Sequence, residues 1–279
     1  MTNSYSDAAR IARDYYNSED ADNFYFHIWG GEDIHIGIYD KPDDHVAVAS
    51  RRTTALLADA LGPLPTTARI LDIGSGYGGS ARTLARHFGC RVAALNLSER
   101  ENVRNRQATA QAGLSLLIDV VDGSFEAMPF EAATFDAVWS IDALLHSGRR
   151  DHVLAEAHRV LRPGGQLIFT DPMESGVCSS AQLSPVLARI HLDSMGSFAS
   201  YGRAAHALGF ETIQARDLTP HLIRHYARIR EELIANAATL EGKVSQPFIA
   251  NALAGLDHWV RAGQAGCLAW GVQQFRKPG

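Results

Sequence analysis

Five short apolar runs punctuate residues 69–171: RILDI (69–73), RVAALNL (91–97), SLLIDVV (115–121), FDAVWSI (135–141) and QLIFTD (166–171). Between them, residues 80–88, 99–111 and 150–161 read as helices, with Leu84 and Phe88 at i, i+4 spacing. Strands that alternate with helices bury their apolar residues as a parallel sheet covered on both faces. Arg162-Pro163-Gly164-Gly165 is expected to end a helix and turn the chain into the next strand, and Gly113 follows the last periodic residue of the helix before it.

The flanks differ from this middle. Residues 1–60 predict a helix over 7–19, a dense aromatic stretch from Phe24 to Gly31 and a second helix near 44–61, and together they would serve as a lid. Past Asp171 the pattern predicts helices at 181–194 and 197–208, a strand near 210–217, a long helical stretch from about 220 to 262, and a last strand in CLAWGVQQFR. The expected organisation is therefore a lid (1–65), a core (66–217), a helical insertion (218–266) and a final strand returning to the core (267–279).

Composition narrows the function. Lys and Arg number 26 against 31 Asp and Glu, a net charge of −5, and the 12 His are scattered, so nothing offers a footprint for nucleic acid. No apolar run approaches the ~18–20 residues of a spanning helix, and the N-terminus has neither a basic head nor an apolar h-region, so neither membrane insertion nor export is expected. Cys90, Cys178 and Cys267 are far apart, odd in number and without a C-x-x-C pair. That pattern predicts no disulfide framework and no zinc site, and with the missing leader it points to the cytoplasm. Nothing in the pattern sets an oligomeric state.

Four segments could carry chemistry. Leu71-Asp72-Ile73-Gly74-Ser75-Gly76-Tyr77-Gly78-Gly79 joins the first strand to a helix, where glycines let the backbone approach a ligand at a helix N-terminus. Asp72 stands two residues before the first glycine, where it can face a cationic amine rather than a pyrophosphate, which favours S-adenosylmethionine over a dinucleotide. Asn96 ends the second strand near the ~20-residue offset of a ribose-binding group. Ser124 and Phe125 follow the third strand, where an adenine ring would lie. At the end of the fourth strand, Asp142 and His146 should face the reacting groups, because a neutral imidazole can accept a proton near pH 7. Grouped metal-ligand spacing is missing, and metal-independent activity is expected.

The runs YYNSEDADNFYFHIWGGEDIHIGIY (15–39), LDIGSGYGGSARTLA (71–85), LNLSERENVRNR (95–106), DGSFEAMPF (122–130), WSIDALLHSG (139–148), HRVLRPGGQLIFTDPM (158–173) and the terminal WGVQQFRKP resemble the class I S-adenosylmethionine-dependent methyltransferases, and within them the sarcosine/dimethylglycine N-methyltransferases. The glycine loop identifies the superfamily; the string from Phe24 to Gly37 is the more specific part. The resemblance implies an α/β fold, a doubly wound Rossmann-like seven-stranded sheet with an N-terminal helical lid and a helical insertion before the last strand. It implies that Asp72, Gly74 and Gly76 line the methionyl end of the cofactor, Asn96 and Leu97 its ribose, Ser124 and Phe125 its adenine, and that Trp29, Ile34 and His35 close over it. Ile141 stands where a Gln or Arg is expected beside the cofactor or acceptor. Related phosphoethanolamine methyltransferases use a Tyr-His pair beside the acceptor nitrogen, and the counterparts here are Tyr16, with Tyr15 adjacent, and His146.

The implied reaction is N-methylation of a small amine, sarcosine or dimethylglycine toward betaine, with S-adenosylhomocysteine as product. His146, oriented by Tyr16, would accept the proton or hold a bridging water. A carboxylate on the acceptor needs a cation or several donors; Arg189, His191, Arg203, Arg224 and Arg228 are available, with Tyr201 nearby, and Arg189 and Tyr201 are favoured. Tyr25 and the other rings of residues 24–29 would face a nitrogen becoming quaternary. Two other readings stay open: an O-, N- or C-methyltransferase of a larger scaffold, and a cofactor-binding protein that does not methylate.

Overall fold

In the computed structural model, which describes residues 5–189 and 192–279 and only the backbone at Arg189, the alternating segment forms five adjacent strands, from one edge inward, of one seven-stranded sheet. Its strands are β1 (Arg69–Ile73), β2 (Arg91–Asn96), β3 (Ile118–Asp122), β4 (Phe135–Ile141), β5 (Leu161–Glu174), β6 (Glu211–Asp217) and β7 (Leu268–Arg276), in the order β3-β2-β1-β4-β5-β7-β6. The first five pair in parallel, as expected. β7 does not: it enters between β5 and β6 and runs antiparallel to both.

The helices are α1 (Asp7–Tyr16), α2 (Glu19–Trp29), α3 (Val46–Leu61), α4 (Gly79–Phe88), α5 (Glu99–Gln111), α6 (Arg150–Val160), α7 (Ser180–Arg189), α8 (Phe198–Ala207), α9 (Thr219–Ala235) and α10 (Gln246–Gln264). Three boundaries depart from the sequence reading, each through a capping or backbone device. The helix expected over 7–19 is two, because the Ser18 side chain accepts from the Ala21 amide and starts α2, which carries the aromatic stretch as far as a left-handed Gly30. The 220–262 helix breaks after Ala235 and restarts where the Ser245 side chain caps α10. Arg162-Pro163-Gly164-Gly165 is not a turn before β5 but a bulge inside it: the register steps from Phe135 opposite Leu161 to Ala137 opposite Gln166, and the Gly164 amide donates to the Lys277 carbonyl.

Neighbouring residues of β1 serve opposite faces, as the two-residue period of a strand requires. Ile70 joins an apolar cluster with Leu57, Trp139 and Trp270, and Leu71 joins another with Leu95, Leu154 and Phe169. A third cluster holds Phe24, Trp29 and Val46 together with Ile229, Leu233 and Leu256, so the N-terminal helices and the α9–α10 insertion share one core.

Ion pairs fasten this cover to the sheet. Arg104 on α5 grips buried Asp22 on α2 with two 2.7 Å hydrogen bonds, and the Tyr77 hydroxyl of the glycine loop donates to the same carboxylate. Farther along, Arg13 and Asn17 donate to Glu99, and the Ser6 hydroxyl donates to Glu126.

The cysteine expectation is overturned. Cys178 and Cys267 form a disulfide that ties the loop after β5 to the residue before β7, and Cys90 is a free, buried thiol. The 89-residue separation hid the pair in the sequence; antiparallel pairing of β5 with β7 brings it together. Among the described residues no helix is long and apolar enough to cross a membrane, and no group of three or more His, Cys, Asp or Glu could hold a metal ion.

Candidate active site

The loop from Gly74 to Gly79 leaves β1 and opens α4 with positive φ at Gly74, Gly76 and Gly78. Most of its glycines serve packing. A Cβ on Gly74 would fall 2.3 Å from the Ala143 Cβ, one on Gly78 2.0 Å from Asn105 Oδ1 and one on Gly79 2.3 Å from Asp33 Oδ1. Gly76 alone of these faces open space, its nearest neighbour being Ile34 Cδ1 at 4.0 Å. Close backbone approach to a ligand is therefore a matter of Gly76.

Beside the loop, the Asp72 Oδ2 and Ser75 Oγ atoms are buried with no hydrogen-bond partner among the described residues. Burial, with repulsion from Asp33 added, pushes the Asp72 carboxyl up to about 8. His35 lies 3.5 Å from Asp33. Burial opposes charge on both, but their attraction outweighs it, so His35 titrates above its ordinary value and Asp33 below its own. Asp33, His35, Asp72, Gly74, Gly76 and Ile141 line one recess.

That recess adjoins a longer trough lined by Ile34, Gly74, Gly76, Asn96, Leu97, Glu101, Ser124, Phe125 and Ile141. Asn96 does not present a free amide to it: Nδ2 donates to Glu101 Oε2 at 2.8 Å. Glu101 comes from the first turn of α5, and burial raises its carboxyl to about 7, against the hydrogen bond from Asn96. Sequence reasoning missed it because it looked for an acid at the end of β2, whereas the helix supplies one five residues later.

A second cavity opens on the other side of Tyr16, Ile34, Asp142 and His146, which line both spaces. Its wall includes Tyr15, Phe24, Tyr25 and Trp29 from the N-terminal helices and His225, Tyr226, Leu256 and Trp259 from the insertion. The described wall holds no Lys or Arg. The Tyr16 hydroxyl and His146 Nε2 share a 3.0 Å hydrogen bond, and their rings meet edge-on at 5.4 Å. Burial lowers the His146 pKa to about 4, so the ring is neutral at physiological pH.

Asp142 sits at φ +53, a left-handed conformation for a residue that closes β4. Its carboxylate is taken up by protein donors: the Ile36 amide at 2.7 Å, the Thr170 hydroxyl at 2.8 Å and the Trp270 indole N–H at 2.7 Å. It joins the lid, β5 and β7 at one point while lining both spaces.

Most of the residues singled out in the sequence meet around these spaces; Trp29 lines the other of the two from the one expected, and Tyr201, Arg203, Arg224 and Arg228 line neither. Trp29 lines the aromatic cavity instead of the trough, its indole N–H donating to the His35 carbonyl. Tyr201 lines neither: its ring is 2% exposed among the apolar side chains behind the sheet, and its hydroxyl donates to Asp171 at 2.6 Å. His191 falls outside the described residues, as does the Arg189 side chain. Arg224 and Arg228 pair with Glu231, and Arg228 also with Glu232, on their own helix. His225, Tyr226 and Trp259 were missed because they fall on buried helical stripes, where core packing is the ordinary reading.

A mixed sheet whose first five strands run in parallel, with a glycine loop after β1, a trough across the strand ends and an adjoining cavity roofed by helices, defines a methyltransferase. The profile described as "Methyltransferase domain" matches residues 71–169. The sarcosine/dimethylglycine N-methyltransferase of Halorhodospira halochloris is 51% identical over 278 residues, 99% of this chain and 100% of that one. The enzyme of the same name from Aphanothece halophytica is 47% identical over 270 residues, 97% and 98% of the two chains. The crystal structure of a proposed sarcosine dimethylglycine methyltransferase from Galdieria sulphuraria superposes with a TM-score of 0.90 at 42% identity, covering 95% of this chain and 99% of that one. This chain belongs to the sarcosine/dimethylglycine N-methyltransferase family and is an S-adenosylmethionine-dependent methyltransferase.

Proposed function

We propose that the protein methylates the nitrogen of sarcosine, dimethylglycine or both, toward betaine, with S-adenosylhomocysteine as the other product and no metal. The observation that carries this reading is the aromatic cavity that meets the trough at Tyr16 and His146. Rings of Tyr16, Tyr25 and Trp29, with centroids 5.6 and 5.0 Å apart along the series, offer faces to a nitrogen acquiring positive charge. The same wall argues against a phosphorylated acceptor, since its described residues bring no Lys or Arg to a phosphate.

The residues of the recess fit the cofactor. Asp72, with an unpartnered buried oxygen, would hold its ammonium, Ser75 and Gly76 would border the methionyl chain, and Asn96 with Glu101 would meet the ribose hydroxyls beside Phe125. When bound, S-adenosylmethionine supplies a methyl already activated on a sulfonium. The chain's own work is alignment and exclusion of water. His146, with a pKa near 4, is a poor sink for the proton of an amine whose pKa is about 10, a mismatch of about 8 kcal/mol. His146 and Tyr16 therefore position the acceptor, which enters as the free amine. For dimethylglycine nothing further is needed, because a tertiary nitrogen has no proton to lose on becoming quaternary.

A coupled assay for S-adenosylhomocysteine release tests the reading. Glycine, sarcosine, dimethylglycine and phosphoethanolamine are supplied separately, and release with sarcosine or dimethylglycine is expected; silence with both would sink it. Cofactor binding carries its own signature. At pH 7 an Asp72 carboxyl with a pKa of about 8 is mostly protonated, and a cation beside it favours the carboxylate. Binding should therefore release close to one proton, read calorimetrically from the dependence of the enthalpy on the buffer's ionisation enthalpy, and Asp72→Asn should abolish the release. Equal enthalpies in all buffers would remove Asp72 from the ammonium site.

A further inference from the structure

His225 has no part in the reaction as derived above, yet its ring is fixed with unusual completeness. It lies on the buried stripe of α9 with Leu222, Ile229 and Leu233 and is 1% exposed. The Gly37 amide donates to its Nδ1 at 3.2 Å, and the Tyr39 hydroxyl stands 2.9 Å from the same nitrogen. A backbone amide can only donate, so Nδ1 carries a lone pair, and in the neutral ring the hydrogen is on Nε2. Neutrality follows from burial, with repulsion from His35 added, which lowers the pKa to about 3.

Nε2 is therefore an N–H donor, and among the described residues it has no acceptor and no contact with solvent. An orphaned buried donor is costly in the empty protein and marks a place where an acceptor atom is expected. His225 belongs to the wall of the aromatic cavity, its ring edge-on to Trp29 at 5.6 Å. The amino acids proposed as acceptors bring a carboxylate into that cavity, whose described wall has no Lys or Arg.

We propose that the Nε2–H of His225 donates to the carboxylate of the amino-acid acceptor and so selects such acceptors over amines that lack one. The inference rests on the amino-acid reading given above. Gly37 and Tyr39, acting through Nδ1, are positioning groups that fix which nitrogen donates.

The test compares betaine with choline, two trimethylammonium compounds that differ in a carboxylate against a hydroxymethyl group, on the protein loaded with S-adenosylhomocysteine. In His225→Asn, the amide oxygen can still receive Gly37 and Tyr39, but the side chain no longer reaches the cavity. Betaine affinity should fall about 10- to 100-fold while choline affinity moves less than about threefold. Equal losses for both, or no loss for betaine, would overturn the assignment while leaving the amino-acid reading intact. A wild-type protein that methylates neither sarcosine nor dimethylglycine would instead defeat that reading, and the carboxylate site with it. Should the variant fail to fold, the wild type labelled with 15N in its imidazoles decides. The Nε2 resonance of His225 should be protonated and shift with betaine but not with choline, and a signal indifferent to betaine would overturn the proposal.

Discussion

At saturating cofactor and limiting dimethylglycine, the rate should climb about tenfold per pH unit from pH 7 toward the amine pKa near 10, a gain approaching a thousandfold. The sign follows from what the cavity can accept. An ammonium would have to lose its hydration to enter an aromatic enclosure, and the imidazole waiting there is too weak a base to take the proton. Each unit of pH below the amine pKa therefore removes nine-tenths of the reactive acceptor. His146 stays neutral across the whole range, so no inflection should appear near the ordinary histidine value of about 6.5. His146→Ala should lower the rate about 10- to 30-fold through lost alignment and keep the slope. A plateau already reached at pH 7, or a slope that vanishes in His146→Ala, would show instead that this histidine receives the proton.

Replacing Asp142 with Ala is expected to cost about 2–4 kcal/mol of stability and about a hundredfold in kcat/KM for both substrates. The carboxylate satisfies the Ile36 amide, the Thr170 hydroxyl and the Trp270 indole at once, and its removal leaves three buried donors that entering water serves only in part. The same change unhooks the lid segment that carries Ile34 over both spaces and His35 over the cavity and the recess. Asn keeps an acceptor oxygen and tolerates the left-handed backbone, so Asp142→Asn should retain most of the stability. Thermal unfolding with parallel kinetics checks this, and an alanine variant with unchanged midpoint and turnover would contradict it.

The sheet was legible because strand burial leaves a local signature: RILDI is β1 to the residue, and FDAVWSI is β4. The trough was legible for a related reason, since ligands of such sheets gather at strand ends: Asp72 is the last residue but one of its strand, and Asn96, Ser124 and Asp142 each finish or follow one. What stayed hidden was decided by partners distant in sequence. Tyr201 resembles a binding residue on its helix until Asp171 is found beside its hydroxyl. His225 resembles core packing until Gly37, 188 residues away, fixes its tautomer. Cys178 and Cys267 have no local motif and meet only because β7 reverses direction beside β5. The split between α1 and α2 could have been read from Ser18 followed by acidic residues in the next turn, a helix start inside a helical pattern.

The wall of the aromatic cavity has a consequence for the medium in which this protein can work. Long-range attraction between surface charges fades as electrolyte accumulates, the screening length shrinking to about 3 Å at molar salt. Ring faces, a neutral imidazole donor and a buried His35 matched by Asp33 are not exposed to that loss. Acceptor capture built on such groups keeps its strength as ionic strength rises, where a site relying on exposed lysines would weaken.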